Sequence, residues 1–403
     1  MPGPDWLAWG GPSGDFVVES AEPLAERWPK NGPPVLWKRP LGPGHSSVLH
    51  RDGVLYTLYR QGGEEVVVAL EAQSGHTLWE HRRAPGLWPD MSHSFGLGPN
   101  ATPLLLDQAL VAIDISGYLR ALQPSDGSLL WQMDLPATFG RLERVEEYGY
   151  SGNPLAQGDT VLVLVGGSKA AVVALAAEDG SLRWMSAPGG VSYAQPTLTR
   201  LANREHYLYF EPEGLVALDP ETGRILWKHP IEFNNGNHLT PVVRCDPHHL
   251  WVGSQFSSGG GRLLRILESE RAPQSLKVEE VWFERRRSAS HWTLVPQGEY
   301  IYGSLGGNRT SYLAAMAWRT GELAWKKRGF HKAQVLWADE KLLLLDESGE
   351  LALARASEKR LEILDRAEVL EANVWTLPTL VGSTLFLRDQ EHLLALDLGV
   401  PSP

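Results

Sequence analysis

The phrase Ala-Leu-x-x-x-x-Gly-x-x-x-Trp constrains this chain more than any single residue does. It occurs as Ala69-Leu70…Gly75…Trp79, Ala121-Leu122…Gly127…Trp131, Ala174-Leu175…Gly180…Trp184 and Ala217-Leu218…Gly223…Trp227. A fifth copy carries Met for Leu: Ala315-Met316…Gly321…Trp325. Self-similarity at this spacing marks a repeat architecture, in which one supersecondary unit buries its apolar face only against its neighbours. In the copy at 215–227, an apolar run ends in Asp219-Pro220 and restarts after Gly223. Pro220 presets the first corner of a turn and Gly223 can adopt the left-handed conformation that closes it, so the phrase reads as a hairpin of two antiparallel strands. Another strand pair with a polar turn lies upstream of each copy, as in Pro154 to Val163 around Gly158-Asp159. Each unit is therefore a four-stranded antiparallel meander.

Closing-strand tryptophans fall at Trp37, Trp79, Trp131, Trp184, Trp227, Trp282 and Trp325, 42 to 55 residues apart. A further unit spans 331–366, with Glu362-Ile363-Leu364 in place of the Trp strand. The last unit, 375–399, stops after Ala395-Leu396-Asp397-Leu398-Gly399 and lacks a closing strand. Pro34-Val35-Leu36-Trp37-Lys38-Arg39 has the closing-strand pattern without preceding strands. A ring sealed by its own N-terminal strand satisfies both ends and removes two exposed sheet edges. The expected fold is all-β: an eight-bladed β-propeller, with seven blades the alternative if the region around Leu351 is not a full blade. Residues 1–33 are expected as an N-terminal extension packing on the propeller, 34–399 as a single propeller domain and 400–403 as a tail.

The 41 Gly and 28 Pro supply turns, and helical periodicity is scarce. A formal charge of -11 argues against nucleic acid, which requires a basic face. Arg285-Arg286-Arg287 reads as a solvated loop. The single Cys245 excludes an internal disulfide and a Cys-rich metal site, and its strand pattern, Val242-Val243-Arg244-Cys245, reads as core. Residues 1–30 show no cationic start followed by an apolar stretch, so no signal peptide or membrane span is expected. The chain reads as a soluble monomer, periplasmic or secreted if a leader was removed and otherwise cytoplasmic.

Ala-Leu-Asp-Pro-Glu-Thr-Gly-Arg-Ile-Leu-Trp-Lys at 217–228 resembles the repeat of pyrroloquinoline-quinone-like (PQQ-like) β-propellers, including the tryptophan that docks each closing strand on its neighbour. The resemblance runs from about Asp5 to Gly399. Asp5-Trp6…Trp9-Gly10-Gly11-Pro12 is similar to a segment preceding the first blade in many bacterial members. Eight blades are shared by the quinoprotein alcohol dehydrogenases and by the non-catalytic lipoprotein of the outer-membrane β-barrel assembly machine, BamB. The dehydrogenases stack PQQ between a tryptophan and a disulfide of adjacent cysteines and bind Ca²⁺ beside a catalytic Asp. One Cys makes that disulfide impossible, and no Cys-x-x-Cys-His haem site is present. Asp114-Ile115-Ser116-Gly117 and Asp346-Glu347-Ser348-Gly349 are oxygen-rich, but tight turns explain Asp, Ser and Gly there. No cofactor is expected, PQQ and calcium being the disfavoured alternatives, and no metal ligands or catalytic residues are assigned.

In such a ring the segments leading into the inner strands converge on one mouth of the central channel, where ligands are most readily held. They carry His45, Tyr150, Tyr193, Gln195, His238, His291, Trp292, Lys332 and Trp375. Hydrogen-bonding groups mixed with aromatic faces suit a polar ligand or a peptide. The loops 86–99 and 136–149 are expected to wall the same mouth. The resulting expectation is a non-catalytic binding or scaffold propeller taking a protein or small polar ligand; the alternative is an oxidoreductase or another enzyme using the same mouth.

Overall fold

A computed structural model describes residues 5–400 except 20–21, 89–90, 93, 95, 142–147, 232–241, 255–258, 270–271, 290–291, 308–310 and 372. Short alternating apolar runs separated by Gly, Asp and Asn turns form eight four-stranded antiparallel sheets arranged as a β-propeller. Blades 1 to 7 occupy residues 49–83, 104–134, 155–185, 197–230, 242–284, 294–327 and 334–368. The region around Leu351 is thus a complete blade. Blade 8 takes three strands from 379–397, and its outer strand is Val35–Pro40, which pairs with His392–Asp397 through Trp37↔Ala395 and Lys38↔Leu394. The N-terminal strand seals the ring.

The repeated phrase is a rule for joining blades. Gly75, Gly127, Gly180, Gly223 and Gly321 have φ between +69° and +73°, which a side chain would strain. Each also lies beneath the tryptophan of the preceding blade: a Cβ on Gly180 would meet the Trp131 ring at 2.7 Å, and one on Gly75 would meet Trp37 at 2.8 Å. The indole N–H then donates to a carbonyl of the same turn, Trp37 to Ala72 (2.9 Å), Trp79 to Pro124 (2.9 Å), Trp131 to Ala177 (2.9 Å) and Trp184 to Pro220 (3.1 Å). Trp282 and Trp325 reach Trp318 (3.0 Å) and Ser357 (2.7 Å) in the same way. Trp227 departs from the rule. It is 6% exposed, but the next blade presents a long hairpin, Gly261–Ser269 with Ala272–Glu284, and the Trp227 N–H finds no partner among the described residues.

Two elements are not legible from the repeat. Leu135–Phe139 forms one helical turn, capped by Asp134, whose carboxylate accepts from Ala137 N at 2.9 Å, with Pro136 in the first turn. The N-terminal segment runs along channel-facing edges of the inner strands. Trp6 exchanges backbone hydrogen bonds with His50 of blade 1 and donates its indole N–H to Leu380 O of blade 8 at 2.8 Å. Leu105 N of blade 2 donates to Leu7 O, and Val17–Val18 adds a parallel strand to Gln334–Ala338 of blade 7. The segment then turns outward: Leu24 N meets the Asp339 carboxylate (2.8 Å) and Trp28 N that of Asp365 (2.7 Å) before the closing strand begins. Among the described residues, no helix is long and apolar enough to cross a membrane.

Candidate functional site

Beyond the stretches paired with the N-terminal segment, the inner strands have no strand neighbour on their channel side among the described residues, so their backbone donors need other partners. Where the inner strands begin, here called the upper end, side chains from one blade supply acceptors to the blade before. Ser47 N donates to Thr102 Oγ1 (3.0 Å), Thr102 N to Asn153 Oδ1 (2.7 Å), and Asn153 N to Gln195 Oε1 (2.9 Å). Gln195 Nε2 also donates to Ser151 O (2.8 Å). Across the ring, Thr293 N donates to Gln334 Oε1 (3.2 Å), and Gln334 Nε2 reaches Trp375 O (3.1 Å). Both polar groups of the Gln195 amide are thus engaged in this girdle.

Above the girdle, three of the expected residues form one half-buried arc across blades 7, 8 and 1. His45 stacks on Trp375, with ring centroids 5.5 Å apart and planes 25° from parallel. Glu347 Oε2 accepts from Lys332 Nζ at 2.7 Å and from Trp375 Nε1 at 3.4 Å. The Glu347 carbonyl also accepts from Val374 N (3.2 Å), so one residue fixes both the backbone and the ring of the Trp375 segment. Gln390 Oε1 accepts from Gly44 N (3.1 Å), and its Nε2 lies 3.4 Å from His45 Nδ1. Lys332 holds φ +51°, a strained value for a residue with a side chain.

Beneath the arc, Arg388 is fully buried and donates to Leu58 O (2.6 Å), Gly42 O (2.8 Å) and Ser46 O (3.3 Å). Burial pushes its guanidinium down to about 10, with Asp389 opposing. It ties blade 8 to the loop that carries His45.

The other expected residues that are described lie apart from the arc. Tyr150 and Tyr193 are buried and border a recess of about 10 Å³, the room a single water needs. Tyr193 OH accepts from Tyr148 N at 2.8 Å, while Tyr150 OH has no partner among the described residues and burial raises its pKa. Trp292 is 2% exposed and donates its indole N–H to Ser304 O, in the wall of blade 6. His238 and His291 fall outside the described residues, as does 142–147 of the loop expected to wall the mouth.

Glu347 and Gln390 escaped the sequence reading because they sit in turns between second and third strands, where polar residues look like turn formers. The signal that could have found them is topological. In every meander that turn shares a face with the segment leading into the inner strand.

The oxygen-rich turns are consumed internally. Asp114 Oδ1 accepts from Ser116 N (2.9 Å), Ser116 Oγ (2.6 Å) and Tyr118 N (3.0 Å), while its other oxygen pairs with Arg83. Asp346 Oδ1 repeats the pattern with Ser348 and Glu350. In both turns one carboxylate oxygen is thus taken by the turn's own donors, as turn chemistry requires. Cys245 is half-buried in blade 5, and burial raises its thiol.

Between blades 1 and 2, Glu65 is wholly buried and pushed up to about 8, first by burial and then by Asp114; Arg60, Arg83 and Arg120 surround the pair.

A larger cavity, about 500 Å³, lies at the lower end of blades 6 and 7, bordered by Gln297, Trp337, Lys341, Arg355 and Arg360. Its cations are already paired: Lys341 with Asp339, Arg355 with Glu26 of the N-terminal segment, and Arg360 with Glu362 (3.2 Å).

Eight four-stranded blades, the Trp-on-Gly lock and a ring closed by the N-terminal strand define a PQQ-like β-propeller. Family-level comparison agrees: the profile described as outer membrane protein assembly factor BamB matches residues 10–162 and 146–327. The chain belongs to that family. A BamB of Yersinia pestis is 22% identical over 297 residues, covering 71% of this chain and 70% of its own length. That of Shewanella oneidensis is 22% identical over 332 residues, covering 74% and 73%. Among solved structures, BamB from Moraxella catarrhalis superposes with a TM-score of 0.63 at 16% identity, covering 91% of this chain and 99% of that one. A europium-containing methanol dehydrogenase reaches 0.67 at 12% identity, covering 98% and 90%. Likeness at that identity concerns the fold, which hosts both kinds of protein.

Proposed function

We propose that this protein is a partner-binding propeller without catalytic activity, holding a protein segment or small polar ligand at the upper mouth of its channel. The arc Lys332, Glu347, Trp375, His45 and Gln390 carries the reading. It offers an aromatic stack flanked by one cation, one carboxylate and one amide, all half-buried, so a ligand entering there gains contact area and directed hydrogen bonds together. Relatives described as assembly factors fit such a role. The N-terminal segment lies toward the lower end of the inner strands, which leaves the upper end as the approach.

A photo-crosslinking side chain at Ser348, an exposed neighbour of Glu347, tests this in the native host. A discrete crosslinked partner or ligand is expected, and it should vanish in Trp375→Ala. Unchanged crosslinking in that variant would refute the site. The oxidoreductase reading draws on the Lys332–Glu347 pair beside the Trp375 plane. Titration with PQQ and Ca²⁺, followed by tryptophan fluorescence, separates the two: saturable quenching at micromolar ligand would overturn the non-catalytic proposal.

A further inference from the structure

The outermost strands of blades 5 and 6, Ala272–Glu284 and Leu323–Lys327, both end at the upper face, because the segments that follow them lead into inner strands. Five cations gather at those ends: Arg285 and Arg286 after the first, and Lys326, Lys327 and Arg328 at the second, all exposed. Two contacts bring the groups together. Tyr312 OH donates to Arg286 O at 3.4 Å, and the Lys326 ammonium lies 5.9 Å over the Tyr312 ring. Gly306 N adds a backbone bond to Ser288 O at 2.7 Å, joining the two blades behind the cluster.

None of the five cations forms an ion pair among the described residues, although other cations of the same blades do. Arg262 pairs with Glu280 (2.8 Å), Lys277 with Glu279 (2.6 Å) and Arg319 with Glu299 (2.7 Å). Arg287, the third residue of the basic run, is taken up by a hydrogen bond to Gly321 O (2.6 Å). The neighbouring Glu284 carboxylate accepts from the Arg286 backbone N–H at 3.0 Å. In a chain of net charge -11, an unpaired cationic cluster is a local reversal of sign.

The strand leading into Arg285 adds two further features. Among the described residues its outer edge is unpaired, since Ala272–Glu284 bonds there only to Gly261–Ser269. Val281 and Phe283, two residues apart, are 48% and 44% exposed, with the Arg262 guanidinium 4.8 Å over the Phe283 ring. Val281 is the extra residue of a bulge, where the register shifts between Leu263 and Leu264. An extended chain laid along this edge could pair its backbone, cover Val281 and Phe283 with apolar side chains, and bring carboxylates to the five cations.

We infer that the outer edge of blade 5, with the cationic rim of blades 5 and 6, docks an extended acidic segment of a partner protein. This rests on the reading of the protein as a partner-binding propeller and places a second contact on the same upper face. The edge and its apolar pair favour an extended chain over an anionic membrane, which would use the charges without the strand.

The test uses the full chain and a short fluorescein-labelled peptide alternating Glu and Val, read by anisotropy. Saturable binding that weakens with salt is expected, with affinity falling about tenfold or more in R285E/R286E/K326E/K327E. Phe283→Ala should weaken binding about threefold while leaving the salt slope unchanged. Equal affinity in the wild type and the charge-reversed variant, with both shown folded by circular dichroism, would overturn the proposal. So would binding to phosphatidylglycerol vesicles without binding to the peptide. H45A/W375A should retain peptide binding in full. Loss there would place the peptide at the mouth and overturn the rim assignment, whereas failure of the Ser348 crosslink with peptide binding intact would count against the mouth alone.

Discussion

The lock between blades can be measured at Trp131 and Gly180. Gly180 sits at φ +72°, and a Cβ there would approach Trp131 Cε3 at 2.7 Å and Cδ2 at 2.8 Å. Two costs therefore follow from Gly180→Ala: about 1–2 kcal/mol for the left-handed backbone, and about 1–3 kcal/mol for forcing a methyl into a filled contact. Trp131 is 9% exposed, and its truncation to Ala should cost about 3–5 kcal/mol. In the Trp131→Ala background the ring is gone, so Gly180→Ala should cost only the backbone part. The double mutant is then less destabilised than the sum of the singles by about 1–3 kcal/mol.

Urea unfolding, followed by far-ultraviolet circular dichroism and by tryptophan fluorescence, gives the four stabilities. Coincidence of the two probes is required, because a ring of repeats can lose cooperativity. If the two substitutions add within about 0.5 kcal/mol, the glycine and the tryptophan do not depend on each other, and the lock as described is wrong.

Trp227→Ala should cost about 3–5 kcal/mol despite the missing glycine and carbonyl partner, since the ring is buried; a loss below about 1 kcal/mol in the same urea assay would contradict that burial. Excising residues 31–41 removes the strand that completes blade 8 together with Trp37, and should lower the thermal midpoint in one cooperative step, so an unchanged melt would refute closure. Glu65 takes its proton at about 8 in the folded chain against an ordinary 4.5, with burial the main cause and Asp114 the second. Between those values the folded state holds a proton that the unfolded state has released, so stability falls as pH rises through the window and levels off above it. At about 1.4 kcal/mol per unit, Glu65→Gln should gain a few kcal/mol over the wild type near pH 9 and little near pH 4. Parallel urea midpoints for the two proteins across that range would show that Glu65 does not titrate there.

What could be read from the sequence follows the range of the interactions involved. The Gly and Trp of each phrase act through a local turn and the adjacent blade, so they repeat, and their period exposed both the blade count and the strand missing from blade 8. The N-terminal segment has no such echo. Trp6 bonds Leu380, 374 positions away, and Val17–Val18 is a strand of two residues that exists because Gln334–Ala338 offers it an open edge. At the mouth, sequence order could name His45, Lys332 and Trp375 but not their connection. That depends on Glu347 and Gln390, whose residue types also suit plain turns. Gln195 and Trp292 have the same composition signal as the arc residues, and burial and backbone demand sent them into the girdle and the wall.

The route of the N-terminal segment makes ring closure and site access one problem. A chain that only needed to complete blade 8 could begin at the rim, next to Val35. This one runs first along the inner strands of blades 1, 2, 8 and 7, then outward past Asp339 and Asp365 to the rim. The strand that seals the ring is thereby tethered to a segment set in the channel. Loosening either end weakens the other, because both hold the same stretch of chain. The polar arc lies at the opposite end of the inner strands but is joined to the closure as well: the loop carrying His45 follows the closing strand Val35–Pro40, and Gln390 and Arg388 of blade 8 hold that loop.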